Sequence, residues 1–589
     1  MEKKSSDKKP PIINCHAHIF TSDYVPPYLA KTFLPEPFYR LLNISKMVVL
    51  VKWWFNNENS PYKWPYQRWY IILKQTLYKI RIALVRYTIL AILKFFIGLF
   101  IFSLMFYELY RYFIKDWMIS NDLSTKYADT ATSWIQESFL GVIAENWWLK
   151  SLLLIVLFIF FPSGRNLLLF ILRKFSKLMG MLPGKQTKEL AKRYMNIVHF
   201  ARYQDQFRIF SRLRRQYPDN SAIIVLPMDM EFMGAGKPLK SYAEQMKELL
   251  KIKQCHPEKI YPFVFVDPRR TKVGSQNLFD YSILKDKVIL EPCFIKTYIE
   301  EHKFSGFKIY PALGYYPFDE RLLPLWKYAA DNDIPIMTHC IIGSIFYRGS
   351  KEKSWDEHPV FEQYEGNQDD DPKNEKYFKP LLLPQINAQD VQEIFTHPMN
   401  YACLLKKEWL AKLVGKSKDK NIRELFGYNE DKETIENDLS HLKICFAHFG
   451  GDEEWVKFME KDRDNWAHQI NVYPDRGIDF LSANGKASRI KVEQLWKYTD
   501  WYSLICSMML QHDNVYADIS YILHSDANIL PLLRQTLKNP KLKERVLFGT
   551  DFYMVRKHKT DKQMLADMMG GLSTEEFDQI ARINPLNFL

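Results

Sequence analysis

The stretch NCHAHIF, residues 14–20, places two histidines one residue apart at the end of the first apolar run in the chain. Side chains on a β-strand alternate faces with a period of two, so His16 and His18 point one way while Cys15 and Ala17 point the other. Two imidazoles on one side of a strand make half a metal site; a pair of ordinary polar residues at a strand end is the plainer alternative. Further candidates end short apolar runs downstream: His339 in IPIMTHC, His448 in LKICFAHF and Asp551 in RVLFGTD. Singly, each has a bland explanation. A histidine near a strand end is usually a satisfied polar residue, and an Asp in GTDF can cap the following helix. They acquire a shared meaning only if the fold gathers them.

Eight runs rich in β-branched and aromatic residues are the elements that would do so. They are PIINCHAH, AIIVLPMD (222–229), IYPFVFVD (260–267), GFKIY (306–310), IPIMTHC (334–340), LKICFAHF (442–449), NVYADIS (514–520) and RVLFGTD (545–551). From about residue 195 they alternate with amphipathic stretches such as SYAEQMKELLKIK and ERLLPLWKYAADN, the βα repeat that builds a parallel sheet. Eight such units predict an α/β chain closed into a (β/α)8 TIM barrel, which presents functional groups at the C-terminal ends of its strands. His16 and His18 end the first predicted strand, His339 the fifth, His448 the sixth and Asp551 the eighth. A barrel makes all five neighbours.

Two apolar spans interrupt the early chain. Residues 87–107 carry one charge, Lys94, and approach the roughly 20 residues that cross a bilayer core; a shorter run at about 146–163 has Trp147 and Trp148 at one end, where interfacial aromatics belong. Read together they form a transmembrane hairpin inserted after the first strand. Basic residues dominate both flanks, from Lys63 to Lys94 and from Arg165 to Arg193, while acids outnumber bases between the spans. By the positive-inside rule the connecting segment is outside, and both termini and the barrel face the cytoplasm. A greasy helical hairpin that docks on a partner or lies in the interface is the competing reading.

The 589 residues exceed one core. The expected organisation is an N-terminal segment with strand one (1–22), a membrane-associated helical insertion (45–194), strands two to five (195–344), a lid or substrate insertion (345–440) and strands six to eight (441–589). The formal charge of +13 is basic without being extreme, and its bases flank apolar spans, so a lipid bilayer is the expected partner and nucleic acid is not. Seven cysteines without regular spacing suit reduced thiols in the cytosol. The start lacks the apolar core of a cleavable signal peptide.

Taken in order, HAH at 16–18, GFKIYPALGYYP at 306–317, PIMTHC at 335–340, CFAHFGG at 445–451, VLFGTDF at 546–552 and INPLNFL at 583–589 give the chain a resemblance to the amidohydrolase superfamily. More narrowly, it resembles the amidohydrolase-related branch with aminocarboxymuconate-semialdehyde decarboxylase-like enzymes. The likeness covers about residues 10–22 and 195–589, and the hairpin departs from the usual pattern. The resemblance implies that His16, His18, His339 and Asp551 ligate one divalent ion, zinc before others, with a water in an open position made acidic enough to supply hydroxide near neutral pH. It also implies that Asp551 accepts that water's proton and that His448 polarises the substrate or shuttles a proton. Related binuclear enzymes bridge two metals with a carbamylated lysine on strand four; the decarboxylase-like branch keeps such a lysine without that role, which leaves Lys308 facing the substrate, supporting the site, or purely structural.

Around these, Arg269 and Arg270 follow strand three, where a guanidinium could clamp a carboxylate or simply be solvated. Asp229 could line the mouth or cap a turn, and Tyr315 and Tyr316 could wall a pocket or pack. His358 and His397 lie in the long insertion after strand five, where exposure or packing is the simpler role. The expected activity is hydrolysis of a small molecule at a carbonyl or similar carbon. Non-oxidative decarboxylation on the same site is the alternative, and an inactive membrane-anchored binding scaffold a third. Nothing in the sequence sets the oligomeric state.

Overall fold

The computed structural model describes residues 9–138, 185–366, 375–383, 388–460, 465–480 and 489–589, less positions 32, 35, 61, 122 and 344; between 139 and 184 it describes only 148, 151 and 166. The chain divides into two compact units, residues 1–52 with 185–589, and residues 53–184.

In the larger unit the apolar runs form parallel strands: β1 (Ile12–Ala17), β2 (Ser221–Val225), β3 (Ile260–Pro262), β4 (Val264–Phe265), β5 (Phe307–Ile309), β6 (Ile336–His339), β7 (Ile444–Ala447), β8 (Val515–Asp518) and β9 (Val546–Leu547). Each pairs in parallel with its neighbour in the orders β1-β2-β3 and β4-β5-β6-β7-β8-β9. Only Phe263 separates β3 from β4, so they continue one another. The far edge returns to the first strand, because Cys15 N–H donates to Phe548 O at 2.8 Å and Asp551 N–H to His16 O at 2.9 Å. β1 is therefore hydrogen-bonded on both sides.

These runs are strands because branched and aromatic residues suit a pleated surface covered on both faces. One buried cluster, including Ile13, Cys15, Ile224, Met337, Cys445 and Leu547, consists almost entirely of strand residues. A much larger one holds Ala17 and Ile12 together with the helices that cover the sheet. The register slips between Asn14 and Ala17, so Cys15 and Ala17 end in different clusters instead of sharing the face that strict alternation assigns them. Helix starts follow capping chemistry: Ser241 and Glu244 form a reciprocal box before Tyr242–Cys255, as do Thr560 and Gln563 before Asp561–Gly571.

The connection from β6 to β7 holds an antiparallel hairpin, Glu357–Tyr364 with Phe378–Leu382, and four helices between Ala388 and Leu425. Much of its acidic run, 365–377, lies outside the described residues. Two small antiparallel hairpins follow β4, between Lys272 and Leu290, where the sequence reading placed no strands.

The smaller unit contains Arg68–Arg86 and Thr88–Leu109, with Leu104, Tyr107 and Ile135 in a small buried cluster. The apolar helix, traced as Thr88–Tyr112 when its irregular end is included, is the one described helix long and apolar enough to cross a membrane, with a mean hydropathy of 2.5 and only 13% of that window buried. The second expected span, 146–163, lies almost wholly outside the described residues, and so does the hairpin it would complete.

Candidate functional site

β1 ends in the two histidines. His18 Nδ1 faces Leu226 O at 2.8 Å and His16 Nδ1 faces Asp518 Oδ2 at 2.9 Å. A carbonyl and a carboxylate only accept, so each Nδ1 carries the proton and each Nε2 presents a bare lone pair. Those lone pairs meet, Nε2 to Nε2, at 3.3 Å. Asp551 Oδ1 stands 3.5 Å from His18 Nε2 and 3.8 Å from His16 Nε2. Two imidazole lone pairs and a carboxylate oxygen thus converge in one buried spot, and burial raises the Asp551 carboxyl well above its ordinary range, so the group favours a proton or a cation there. Burial, then the Lys308 charge, pushes His16 well below the ordinary histidine range, and burial likewise lowers His18, which keeps both imidazoles neutral.

A second chain of hydrogen bonds starts at Asp518, at the end of β8. Its Oδ1 accepts from the Ser520 hydroxyl, the Ser520 N–H at 2.9 Å and the His448 N–H at 3.0 Å. With its proton given to Asp518, Ser520 Oγ accepts from His448 Nδ1 at 2.9 Å. His448 Nε2 then accepts from His339 Nδ1, 3.2 Å away. The consequence falls on His339 Nε2, a buried lone pair with no hydrogen-bond partner among the described residues. His339 lies outside the three-donor group and next to it, with its ring stacked on Tyr310 at 3.8 Å.

Local backbone geometry serves the same end. His448, Tyr521 and Asp551 have φ of 65°, 64° and 60°, the left-handed region that costs a non-glycine residue energy and recurs at functional sites. Gly549 allows close approach: a Cβ there would sit 3.0 Å from His16 Cβ and 3.1 Å from Ser520 Cβ. Asn14 ties the strand to that segment, with Nδ2 donating to Thr550 Oγ1 at 2.8 Å and Oδ1 accepting from Thr550 N–H at 3.1 Å.

A cavity of about 550 Å³ opens on His18, His339, His448 and Asp551. Lys308 is fully buried on β5 but does not line it; its Nζ has no hydrogen-bond partner among the described residues, and burial lowers it to about 8 against the pull of Asp518 and Asp551. Arg193, counted in the sequence as one of the bases flanking an apolar span, does line the cavity.

For the remaining candidates the structure favours one of the alternatives that the sequence left open. Arg269 grips Asp267 with two bonds, Nε to Oδ1 at 2.8 Å and Nη2 to Oδ2 at 2.6 Å, and its Nη1 donates to Phe232 O; a guanidinium so committed does not face the cavity. Arg270 is held the same way by Asp229 and Glu231, which also removes Asp229 from the mouth. The Tyr315 hydroxyl accepts from Tyr310 N–H and donates to Val266 O, bracing two strand ends without touching the cavity. His358 and His397 are fully engaged in the core: His358 accepts from Val360 and Phe361 N–H, and His397 stacks on Trp496 at 3.9 Å.

Sequence reasoning missed Asp518, Ser520 and Arg193. Asp518 and Ser520 had a readable signal, since VYADIS ends a predicted strand with an acid at the level of the histidines. Arg193 had none.

No family model matches the chain, and no curated protein does. Among solved structures, similarity extends to the 5-carboxyvanillate decarboxylase of Novosphingobium aromaticivorans, complexed with manganese and 4-hydroxy-3-methoxy-5-nitrobenzoic acid: 14% identity over 72% of this chain and 92% of that one, TM-score 0.31. It extends to 4-oxalomesaconate hydratase from Rhodopseudomonas palustris, at 12% identity over 64% and 78% with TM-score 0.28, and to an amidohydrolase from Mycobacterium avium subsp. paratuberculosis, at 12% over 66% and 74% with TM-score 0.27. These structural neighbours are amidohydrolase-superfamily members, at scores too low to carry their activities or ligands to this chain.

Proposed function

We propose that the chain is a metal-dependent hydrolase of a small molecule on a (β/α)8 barrel, anchored to a membrane with the barrel on the cytoplasmic side. The barrel is supported by the parallel order of the strands, the return of the last to β1 and the cluster of strand residues. The observation that carries the chemistry is the pair of bare Nε2 lone pairs at 3.3 Å facing the Asp551 carboxylate, with both Nδ1 protons already committed.

His16, His18 and Asp551 would hold one divalent ion, with zinc as the leading candidate, and His339 offers its orphaned Nε2 beside them. Two or three imidazoles with a carboxylate suit such an ion. When bound, it supplies Lewis acidity and a nucleophile at neutral pH. The protein does the rest. Asp518 and Leu226 O fix the two tautomers and aim the rings. Asp551, at the cavity wall, is placed to take up a proton on its carboxylate. His448 links His339 to Ser520 and Asp518, giving protons a continuous donor path away from the cavity. The enclosing wall limits water and strengthens every charge interaction inside it.

The same residues serve a decarboxylase, and the apolar enclosure favours that alternative too, because a carboxylate stripped of water loses carbon dioxide more readily. Gas release, as opposed to a new acid or amine, separates the two. Membrane anchoring rests on the exposed apolar helix Thr88–Leu109 and the bases around it; release of the full chain by alkaline carbonate would reject it. Elemental analysis of purified full-length protein tests the centre. About one equivalent of a divalent metal per chain, lost in His16→Ala and Asp551→Ala, is the expected result. No metal, and none regained on adding zinc or manganese, leaves a binding scaffold.

A further inference from the structure

The cavity is lined unevenly. Its aromatic rings are largely taken up with one another: Tyr310 stacks on His339, while Tyr553 stacks on Phe200 at 4.3 Å and receives the edge of Phe20 at 5.6 Å. Tyr521, His524 and His558 gather in a cluster of their own, with the two imidazoles 4.5 Å apart, and one stretch of the remaining wall is aliphatic. Val25 and Leu29 come from the segment after β1, Ile197 from helix Lys185–Phe200, Met228 and Met230 from the segment after β2, and Ile342 from the start of the long insertion. None of these can hydrogen-bond, and methionine and isoleucine side chains mould to a flexible chain more readily than they stack on a flat ring.

Two cations, Lys192 and Arg193, interrupt this wall. Arg193 lines the same cavity, and its Nε is buried without a hydrogen-bond partner among the described residues. It shares that lining with Asp551, His18, His339 and Tyr310. A buried guanidinium nitrogen left unpaired is costly, and a carboxylate or similar anion is its natural complement. The cavity's acids are otherwise placed. Asp452, Glu453 and Glu454 form the first turn of helix Asp452–Phe458, where negative charge is favoured, and Glu454 is held by Trp501 N–H and Lys457.

We propose that this cavity takes an amphiphilic substrate, an unbranched aliphatic chain lying against the Val25–Leu29–Ile197–Met230 wall with an anionic head at Arg193. At about 550 Å³ the space is within the range of ordinary small-molecule sites. A chain that reaches the bilayer through its apolar helix would meet such molecules where they partition. That this ligand is also the substrate rests on the hydrolase proposed above; its binding does not.

The test is isothermal titration of the full-length, metal-stripped protein in phosphatidylcholine nanodiscs with straight-chain acids of four to twelve carbons and the matching alcohols and amines. Affinity for the acids is expected to rise about fourfold per added methylene until the cavity fills. Acids should bind at least about tenfold tighter than alcohols, as charge-assisted hydrogen bonds are roughly twice as strong as neutral ones, and Arg193→Ala should erase that margin. Met230→Glu should flatten the chain-length series, whereas Phe102→Glu, in the apolar helix, should leave it intact. Affinity independent of length, a preference for amines, or a series that follows Phe102→Glu instead of Met230→Glu overturns the proposal. Offering the same acid from solution and from phosphatidylcholine vesicles identifies the source: uptake from both marks a free acid and uptake from vesicles alone a membrane-held one, each supporting the site, while uptake from neither rejects it. Because the metal is absent throughout, intact acid binding beside a failed metal assay removes the hydrolase and spares this site, and the converse result does the opposite.

Discussion

His16 Nδ1 lies 2.9 Å from Asp518 Oδ2, although 502 positions separate the two residues in the chain. That one contact fixes a tautomer, and the tautomer decides whether His16 Nε2 is a donor or a ligand. Asp518→Asn keeps the shape while removing the charge and letting an amide N–H face the ring. Metal affinity is expected to fall 10–100-fold, the usual cost of losing a carboxylate behind a ligating histidine, with little change in thermal midpoint. Competition against a chromophoric chelator measures it. An unchanged dissociation constant would mean that Asp518 merely fills space.

Lys308 offers a contrast. Its ammonium is buried without a hydrogen-bond partner among the described residues, so the group costs stability unless the anions near it need it. In metal-loaded Lys308→Met, whose apolar side chain is of similar length, stability should be equal or higher. Activity should drop if the lysine tunes Asp518 and Asp551, and persist if it does not. A loss of more than about 2 kcal/mol in chemical denaturation would show the charge to be structurally required.

Arg269 should behave as a structural residue. Asp267 is buried and depends on it for two hydrogen bonds, so Arg269→Ala leaves an uncompensated carboxylate. The variant is expected to lose about 3 kcal/mol, discounted for the partial exposure of the guanidinium, while its metal content stays at the wild-type level. Urea denaturation beside elemental analysis separates the two quantities, and a normal stability with lost metal would return Arg269 to the site.

His358 and His397 predict an acid-sensitive insertion. Burial pushes both down to about 3. Below the unfolded value of about 6.5 the unfolded chain therefore binds protons that the folded chain refuses, and stability falls as pH drops from about 6.5 towards 3. Relative to wild type, His397→Gln should lower stability at neutral pH and reduce its acid dependence by about 1.4 kcal/mol per pH unit in that window. Parallel profiles for the two proteins would show that His397 titrates normally.

Much of this was legible in the sequence. Continuous β-branched and aromatic runs alternating with amphipathic stretches announced the strands, because such residues suit a pleated surface covered on both faces. The five residues at their ends marked one rim, with His16, His18 and Asp551 brought together and His339 and His448 adjoining them. Reach decided between the alternatives left open. Arg269 and Tyr315 occupy the expected level of the fold, yet a charge or hydroxyl follows its nearest partner, and Asp267 and the Tyr310 and Val266 backbone were nearer than any substrate.

The sequence by itself determined which segments become parallel strands and which polar residues stand at their ends, since both follow from local composition and from the alternation of strand-like and amphipathic stretches. Only the tertiary structure decided the tautomers of His16, His18 and His339, the committed partners of Arg269 and Arg270, and the arrival of Arg193 in the cavity. Those depend on distances of a few ångströms set by how the chain folds back, across two positions for Arg269 and Asp267 and across 502 for His16 and Asp518, and no local periodicity encodes them.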